Sequence, residues 1–85
     1  MYLRYNTIAV PPKQPREVKV NLDKEKIIAW RYGYNSNNQI THFYLVYIDQ
    51  YNQRNSLYIP TERLLDKNAL FEYMEKNHRA KCLEK

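Results

Sequence analysis

The chemically richest run of the chain is Trp30-Arg31-Tyr32-Gly33-Tyr34, which combines three aromatic rings, one cation and the only glycine. Tyrosine makes up nine of the 85 residues. Aromatic side chains at alternate positions of a strand can fill a core, or they can stack on nucleic-acid bases, where each base contributes about 1–3 kcal/mol. Tyrosine, tryptophan and arginine are also enriched at protein–protein hot spots. The run therefore indicates either a core face or a binding surface for nucleic acid or protein.

Side chains that catalyse reactions or bind metals are sparse. His42, His78 and a single cysteine, Cys82, fall short of a metal cluster with ligand spacing. Ser36 and Ser56, the only serines, have no histidine–acid pair near them in sequence, so a nucleophilic triad is not expected. One glycine also excludes a Gly-rich phosphate loop. We therefore predict that the protein is not an enzyme and has no cofactor and no metal site.

The charge distribution favours a polyanionic partner. The chain has a net charge of +5 and a pI of about 9.4. Residues 1–34 contain seven basic and three acidic side chains, a balance of +4, whereas residues 35–85 contain seven and six, a balance of +1. We therefore expect the basic surface mostly on the N-terminal half. The predicted phosphate contacts are Arg4, Lys13, Arg16, Lys19, Lys24, Lys26 and Arg31.

Period-two alternation of apolar residues predicts four strands. They cover residues 17–22, 26–34, 39–49 and 56–59. The asparagine-rich residues 35–38 are a strong turn signal, and they predict an antiparallel hairpin between the second and third of these strands. Both faces of the third strand are apolar or aromatic, so we expect that strand at the centre of the sheet.

The two ends of the chain read differently. Residues 1–10 are β-favouring but alternate poorly, so they are either an edge strand or a loose basic arm. Residues 11–15 are proline-rich and predict a linker, because proline lacks an amide donor and biases its predecessor to extended backbone. At the other end, Asp66 is predicted to cap a helix over residues 67–79, its carboxylate accepting from first-turn amides. Leu70, Phe71 and Met74 would form the apolar stripe of that helix.

These elements predict a single α+β domain spanning residues 1–85. Residues 16–59 would form an antiparallel meander of four to five strands, and residues 61–79 a helical C-terminus packed on one face of it. One sheet face would then stay uncovered. Neither face reads as polar, and an exposed apolar face marks a contact site.

The placement of individual rings follows from this arrangement. Trp30 is predicted to be core, whereas Tyr32 and Tyr34 lie nearer the turn and are predicted to be exposed. Tyr44, on the neighbouring strand of the hairpin, would extend the same aromatic platform. Tyr47 lies on the opposite face of its strand and competes for the same role. The predicted contact residues are therefore Arg31, Tyr32, Tyr34, Tyr44 and Tyr47, together with the basic side chains given above.

The leading hypothesis is a small basic protein that binds nucleic acid or a nucleic-acid-handling protein complex. The alternative is a protein-binding inhibitor or adaptor of the phage or mobile-element type, for example one that blocks a host defence or processing machine. That alternative includes edge-strand pairing or homodimerisation, so the chain is expected to be a monomer or a homodimer. With a single cysteine and no apolar run of membrane-spanning length, a cytoplasmic location without membrane insertion is expected.

Overall fold

The computed structural model describes residues 1–8 and 14–83 of the chain. These residues form two antiparallel sheets of three strands each and one α-helix. The first sheet has the order β2-β1-β6 and consists of β1 (Tyr2–Asn6), β2 (Glu17–Asn21) and β6 (Leu64–Leu65). The second has the order β3-β4-β5 and consists of β3 (Lys26–Tyr34), β4 (Ile40–Ile48) and β5 (Arg54–Pro60). The helix, α1, is Lys67–Asn77, and 3₁₀ turns occupy Thr61–Arg63 and Arg79–Lys81.

The α+β class is confirmed, but the single meander of four to five strands is wrong. The first residues are neither an edge strand nor an arm, because β1 lies at the centre of its sheet between β2 and β6. Leu3 pairs with Val20 and Tyr5 with Leu64, so the apolar side chains of β1 find partners on both sides. The pairing leaves β2 and β3 in different sheets. Of the predicted linker, residues 11–13 lie outside the described part of the chain.

One core joins the inner faces of both sheets to the helix. Its buried members come from β1, β2, β3, β4, β5, β6 and α1, with Leu22 beyond the end of β2. They are Leu3, Val20, Leu22, Ile27, Trp30, Tyr32, Phe43, Leu45, Ile59, Leu64, Leu70 and Met74. The helix therefore shares the inner face of the second sheet with the first sheet, whereas the sequence predicted that it would pack alone against one face of a larger sheet.

A β-bulge near the start of β3 decides which residues of that strand face the core. Ile27 pairs with Tyr47 and Ala29 with Val46, so the strand has one extra residue between these two pairs. Strict alternation along residues 26–34 would put Ile28 on the same face as Trp30. The bulge puts Ile27 there instead, and Ile27 is buried in the core. Downstream of the bulge the alternation resumes, with Trp30 inward and Arg31 outward.

Trp30 is the largest fully buried side chain, as predicted. Its indole N–H donates to the carbonyl of His78 at 2.7 Å, and its own carbonyl accepts from the amide of Leu83 at 2.9 Å. The ring packs against Tyr32 and Phe43 at centroid distances of 5.3 and 6.1 Å. The segment after α1 is therefore fixed along the outer edge of β3 by one residue.

The helix is confirmed, but its predicted cap is wrong. Asp66 has left-handed backbone with a φ of 56°, and its carboxylate makes no capping hydrogen bond. A side-chain cap needs extended backbone at that position, so the conformation removes it. The carboxylate lies instead 3.8 Å from the guanidinium of Arg4. At the other end, α1 stops at Asn77, two residues before the predicted end, and a 3₁₀ turn follows.

The two hairpins of the second sheet close with the same turn. In residues 35–39 the side-chain oxygen of Asn35 accepts from the amides of the residues two and four positions on. In residues 49–53 Asp49 does the same. The fourth residue of each turn, Asn38 or Asn52, has a positive φ of about 60°, which asparagine tolerates. One short pattern, Asn or Asp followed three residues later by Asn-Gln, therefore builds both hairpins.

We expect Trp30→Ala to lower the unfolding free energy by about 3–5 kcal/mol, because it leaves a cavity in the core. That loss is a large part of the roughly 5–15 kcal/mol that stabilises a small domain. Tyr51→Ala is the control, because the Tyr51 side chain is 85% exposed, and it should change the unfolding free energy by less than about 0.5 kcal/mol. Chemical denaturation followed by circular dichroism measures both. A Trp30→Ala variant as stable as Tyr51→Ala would contradict the assignment of Trp30 to the core.

The turn at Asp49 should make stability depend on pH. Hydrogen bonds from the amide of Gln53, the side chain of Asn55 and the amide of Tyr51 hold the pKa of Asp49 below its usual value. The carboxylate therefore stabilises the fold above the unfolded-state pKa, about 3.9, and this contribution is lost as the pH falls through the lowered pKa. Asp49→Asn keeps the acceptor and should weaken the acid dependence of the unfolding free energy. The matched change Asn35→Asp should strengthen it, and equal acid profiles for all three proteins would refute the assignment.

Candidate functional site: the outer face of the second sheet

The outer face is the side of the second sheet turned away from the core. Strand register gives it four cross-strand rows. They are Lys26–Ile48–Arg54, Ala29–Val46–Ser56, Arg31–Tyr44–Tyr58 and Gly33–His42–Pro60. These rows contain three cations and no carboxylate, although the acidic residue Glu62 lies just beyond the last row. A sheet face of this composition can accept an anion and a planar ring side by side.

Arg31 lies at the centre of this face, over two tyrosines. Its guanidinium carbon is 5.1 Å from the ring centroid of Tyr44 and 6.0 Å from that of Tyr58. Both distances are within the range of a cation–π interaction. One guanidinium nitrogen also donates to the carbonyl of Tyr32 at 3.2 Å. The cation is thereby held in one place on the sheet while it remains half-exposed.

Tyr58 lies across the sheet from β5 towards β3. Its ring stacks on that of His42 with centroids 4.4 Å apart and planes within 4° of parallel. Its hydroxyl ends over Gly33, where an added Cβ would lie 3.0 Å from the hydroxyl and 3.0 Å from the Cβ of His42. The φ of Gly33 is not positive, so the backbone conformation does not require a glycine there. The close approach of the Tyr58 hydroxyl does. Tyr58 is 53% exposed, so the stacked pair offers ring surface to solvent.

A shallow cleft of about 280 Å³ lies at the end of the outer face, beside the stacked rings. It is lined by Thr41, His42, Pro60, Thr61 and Glu62. The hydroxyl of Thr61 donates to the carbonyl of Thr41 at 3.3 Å, which ties the 3₁₀ turn to β4. The hydroxyl of Thr41 lies 3.1 Å from Nδ1 of His42. The cleft thus adds polar groups next to an aromatic platform.

Two predictions about the aromatic platform are wrong. Tyr32 was predicted to be exposed, but it is only 8% exposed, because α1 covers it and the ring of Phe71 lies 4.8 Å away. Burial and the nearby carboxylate of Glu75, which shares a hydrogen bond with the phenol, raise the pKa of Tyr32 far above its usual value. Tyr44 does not extend a platform with Trp30, because register places it opposite Arg31, on the outer face. Tyr34 is 50% exposed, as predicted.

Tyr47 lies on the inner side of β4, where it packs against the core. Register pairs it with Ile27, which is buried. Burial and the carboxylate of Glu25 raise the pKa of its hydroxyl. Tyr47 and Tyr44, both predicted contact residues, therefore occupy opposite faces of one strand.

The basic residues of the N-terminal half are divided between the two sheets. Lys26 and Arg31 lie on the outer face of the second sheet. Arg4 lies on the first sheet, where its guanidinium is 3.5 Å from the carboxylate of Glu17, and Lys19 is 3.6 Å from the same side chain. Arg16 and Lys24 are exposed and lie outside both β3 and the outer face, and Lys13 lies outside the described residues. The structure therefore brings together Lys26, Arg31 and Tyr44 of the predicted set.

Sequence reasoning missed three members of the outer face: His42, Arg54 and Tyr58. The signal for Tyr58 was present, because the turn at residues 49–53 fixes the register of β5 against β4 and so sets Tyr58 beside Tyr44. Arg54 follows from the same register, one row from the turn. His42 shares a face with Tyr44 by simple alternation, but its stacking on Tyr58 depends on Gly33 and is a three-dimensional feature.

Comparison of the chain with known protein families, with curated proteins and with solved structures gave no match. Among residues 1–8 and 14–83, no three His, Cys, Asp or Glu side chains are grouped so that they could hold a metal ion. No helix in that part of the chain is long and apolar enough to cross a membrane.

We expect Gly33→Ala to move the Tyr58 ring off His42, because the new methyl group would lie about 3.0 Å from the hydroxyl of Tyr58. Loss of the stack changes the ring current at His42, so the chemical shifts of its ring protons should move. Tyr58→Leu removes the ring altogether, so its His42 chemical shifts show the direction and the largest size of the change expected on loss of the stack. If the His42 shifts of Gly33→Ala matched those of the unsubstituted protein, the proposed role of the glycine would be wrong.

Proposed function

We propose that the protein binds single-stranded nucleic acid on the outer face of the second sheet. The observation that carries the proposal is the pairing of Arg31 with two tyrosine rings on a face that has three cations and no carboxylate. Proteins that bind single strands combine a cationic path for the backbone with rings on which bases stack. The outer face supplies both parts on three adjacent strands.

Each part of the face has a role in this proposal. On this face Tyr58 has the ring with the largest exposed fraction, 53%, and a base would contact the part of it that His42 and Arg31 leave exposed. Lys26 and Arg54 share one row, and Arg31 lies about 14 Å further along the sheet, four residues at about 3.4 Å each. These cations would contact separate phosphates of one strand, which need not be adjacent. Stacking does not distinguish the four bases strongly, so little sequence preference is expected.

The alternative proposal is a protein-binding inhibitor or adaptor. Tyrosine and arginine favour it equally, because they are enriched at protein interfaces as well. The two proposals differ in their response to salt. Phosphate binding releases counterions, so affinity for a single strand falls with a slope of about −0.7 per phosphate contact in a plot of log K against log salt. Three cations predict a slope of about −2 for an oligonucleotide.

We expect Tyr58→Ala to weaken oligonucleotide binding by about five- to 150-fold, which corresponds to the roughly 1–3 kcal/mol of one stacked base. Fluorescence anisotropy of labelled oligothymidine and oligouridine at increasing salt measures this loss. Tyr2→Ala is the matched control, because Tyr2 and Tyr58 are both 53% exposed but Tyr2 lies on the first sheet. The proposal fails if no oligonucleotide binds at low salt, or if the two variants lose equal affinity.

Two lysine substitutions, one on each sheet, test which sheet carries the binding surface. Lys26→Ala should reduce the salt slope by about 0.7, because it removes one phosphate contact. Lys19→Ala removes the same charge from the first sheet and should leave the slope unchanged. A larger effect from Lys19 than from Lys26 would move the binding surface to the first sheet and contradict the proposal.

A further inference from the structure

The outer edge of β5 is open and regular. In the order β3-β4-β5, β5 pairs with β4 on one side, and no strand formed by residues 1–8 or 14–83 pairs with its other side. The register with β4 runs without a break from Ile48–Arg54 to His42–Pro60. By contrast, the outer edge of β3 is occupied in part, because the carbonyl of Trp30 accepts from the amide of Leu83. Edge strands are normally protected by bulges, charged side chains or prolines. In β5 the charge and the proline are at the two ends, Arg54 and Pro60, and the residues between them have none of these features.

The hairpin turn determines which backbone groups of β5 face this edge. The amide of Asp49 donates to the carbonyl of Gln53 at 2.9 Å, which closes the ladder between β4 and β5. In an antiparallel ladder, hydrogen-bonded and non-hydrogen-bonded pairs alternate. The amides and carbonyls of Asn55, Leu57 and Ile59 are therefore directed towards β4. The amides and carbonyls of Arg54, Ser56 and Tyr58 point outward, in position to bond a further strand. The next outward position is Pro60, which has no amide hydrogen.

We propose that the chain forms a homodimer in which β5 pairs antiparallel with β5 of a second copy, about a two-fold axis at Ser56. This register sets Ser56 opposite Ser56 and sets Arg54 opposite Tyr58 of the second copy. Each of these pairs can exchange two backbone hydrogen bonds. A register shifted towards Pro60 would lose donors, because proline has no amide hydrogen.

The side chains on the outer face suit this register. Arg54 of each copy would lie opposite Tyr58 of the other, whose ring turns away from this edge over β4 and leaves room for the arginine side chain. Because the strands run antiparallel, the two Arg54 residues would lie at opposite ends of the interface, about 14 Å apart at 3.4 Å per residue. The small side chain of Ser56 leaves room at the axis. The second sheets of the two copies would become one sheet, whose outer face would have twice the area of that of a single copy.

The dimer does not depend on the proposed nucleic-acid function, and salt separates the two. Each copy carries a net charge of +5, so the copies repel each other and added salt should strengthen the dimer. Added salt should weaken nucleic-acid binding. Measured without nucleic acid, self-association therefore tests the dimer alone.

Sedimentation equilibrium from micromolar to millimolar concentration tests the proposal. The unsubstituted protein should show a monomer–dimer equilibrium. Ser56→Lys sets two ammonium groups opposite each other at the axis and should raise the dissociation constant by about tenfold or more, equivalent to about 1.4 kcal/mol. Ser36→Lys adds the same charge in the exposed turn of the other hairpin and should leave the equilibrium near that of the unsubstituted protein. A chain that stays monomeric at millimolar concentration, or a dimer that Ser56→Lys does not weaken, would overturn the proposal.

Disulfide trapping tests the register of the dimer independently, so the proposal can still be tested if Ser56→Lys does not fold. In a Cys82→Ser background, Ser56→Cys places two thiols in a directly opposed pair with a Cα separation of about 5.5 Å, within the range that a disulfide spans. Arg54→Cys places them about 14 Å apart. Mild oxidation should give a covalent dimer with Ser56→Cys and not with Arg54→Cys. Equal cross-linking by both variants would show that the two-fold axis does not pass through Ser56.

Discussion

The inward position of Trp30 is the constraint on which the rest of the structure depends. Its ring is buried between Tyr32 and Phe43, its indole N–H bonds the carbonyl of His78, and its carbonyl bonds the amide of Leu83. One residue therefore connects the second sheet to the end of the helical segment. A chain of 85 residues buries roughly 60–65% of its unfolded surface, less than a larger domain does, so few other residues could replace that connection.

The same constraint produces the outer face. Side chains alternate along a strand, so burying Trp30 and Tyr32 turns Arg31 outward. The bulge between Ile27 and Ala29 makes this arrangement compatible with a buried Ile27. A shift of one residue would exchange the two faces completely. The core and the cationic, aromatic face are therefore two results of one register.

Most strands and the helix could be predicted from sequence, but their arrangement into two sheets could not. Alternation located β2 to β5, and the stripe of Leu70 and Met74 located α1. The first sheet was missed because β1 pairs with β6, a two-residue strand that follows β5 in sequence and has no alternation to detect. The left-handed backbone of Asp66 also gives no composition signal, since aspartate is a common helix cap.

The site divides in the same way. Arg31 and Tyr44 were predicted from residue type, but Tyr44 was assigned to the wrong platform because both faces of β4 are apolar or aromatic. Only the register of the hairpin shows that Arg31 is its neighbour. Tyr32 was predicted to be exposed because it lies near a turn, whereas Phe71 of α1 covers it. These errors share one cause, which is that neighbours from distant parts of the chain decide which face of a strand is buried.

The position of Tyr58 has a consequence for the entropy of binding. Fixing a mobile side chain at an interface costs about 0.5–1.5 kcal/mol. The Tyr58 ring is already held, parallel to His42 on one side and with its hydroxyl over Gly33. A planar ligand that packs against the exposed part of this ring would meet a preorganised surface and would not have to supply that ordering. The single glycine of the chain is what permits this fixed position, because a side chain at position 33 would meet the hydroxyl of Tyr58.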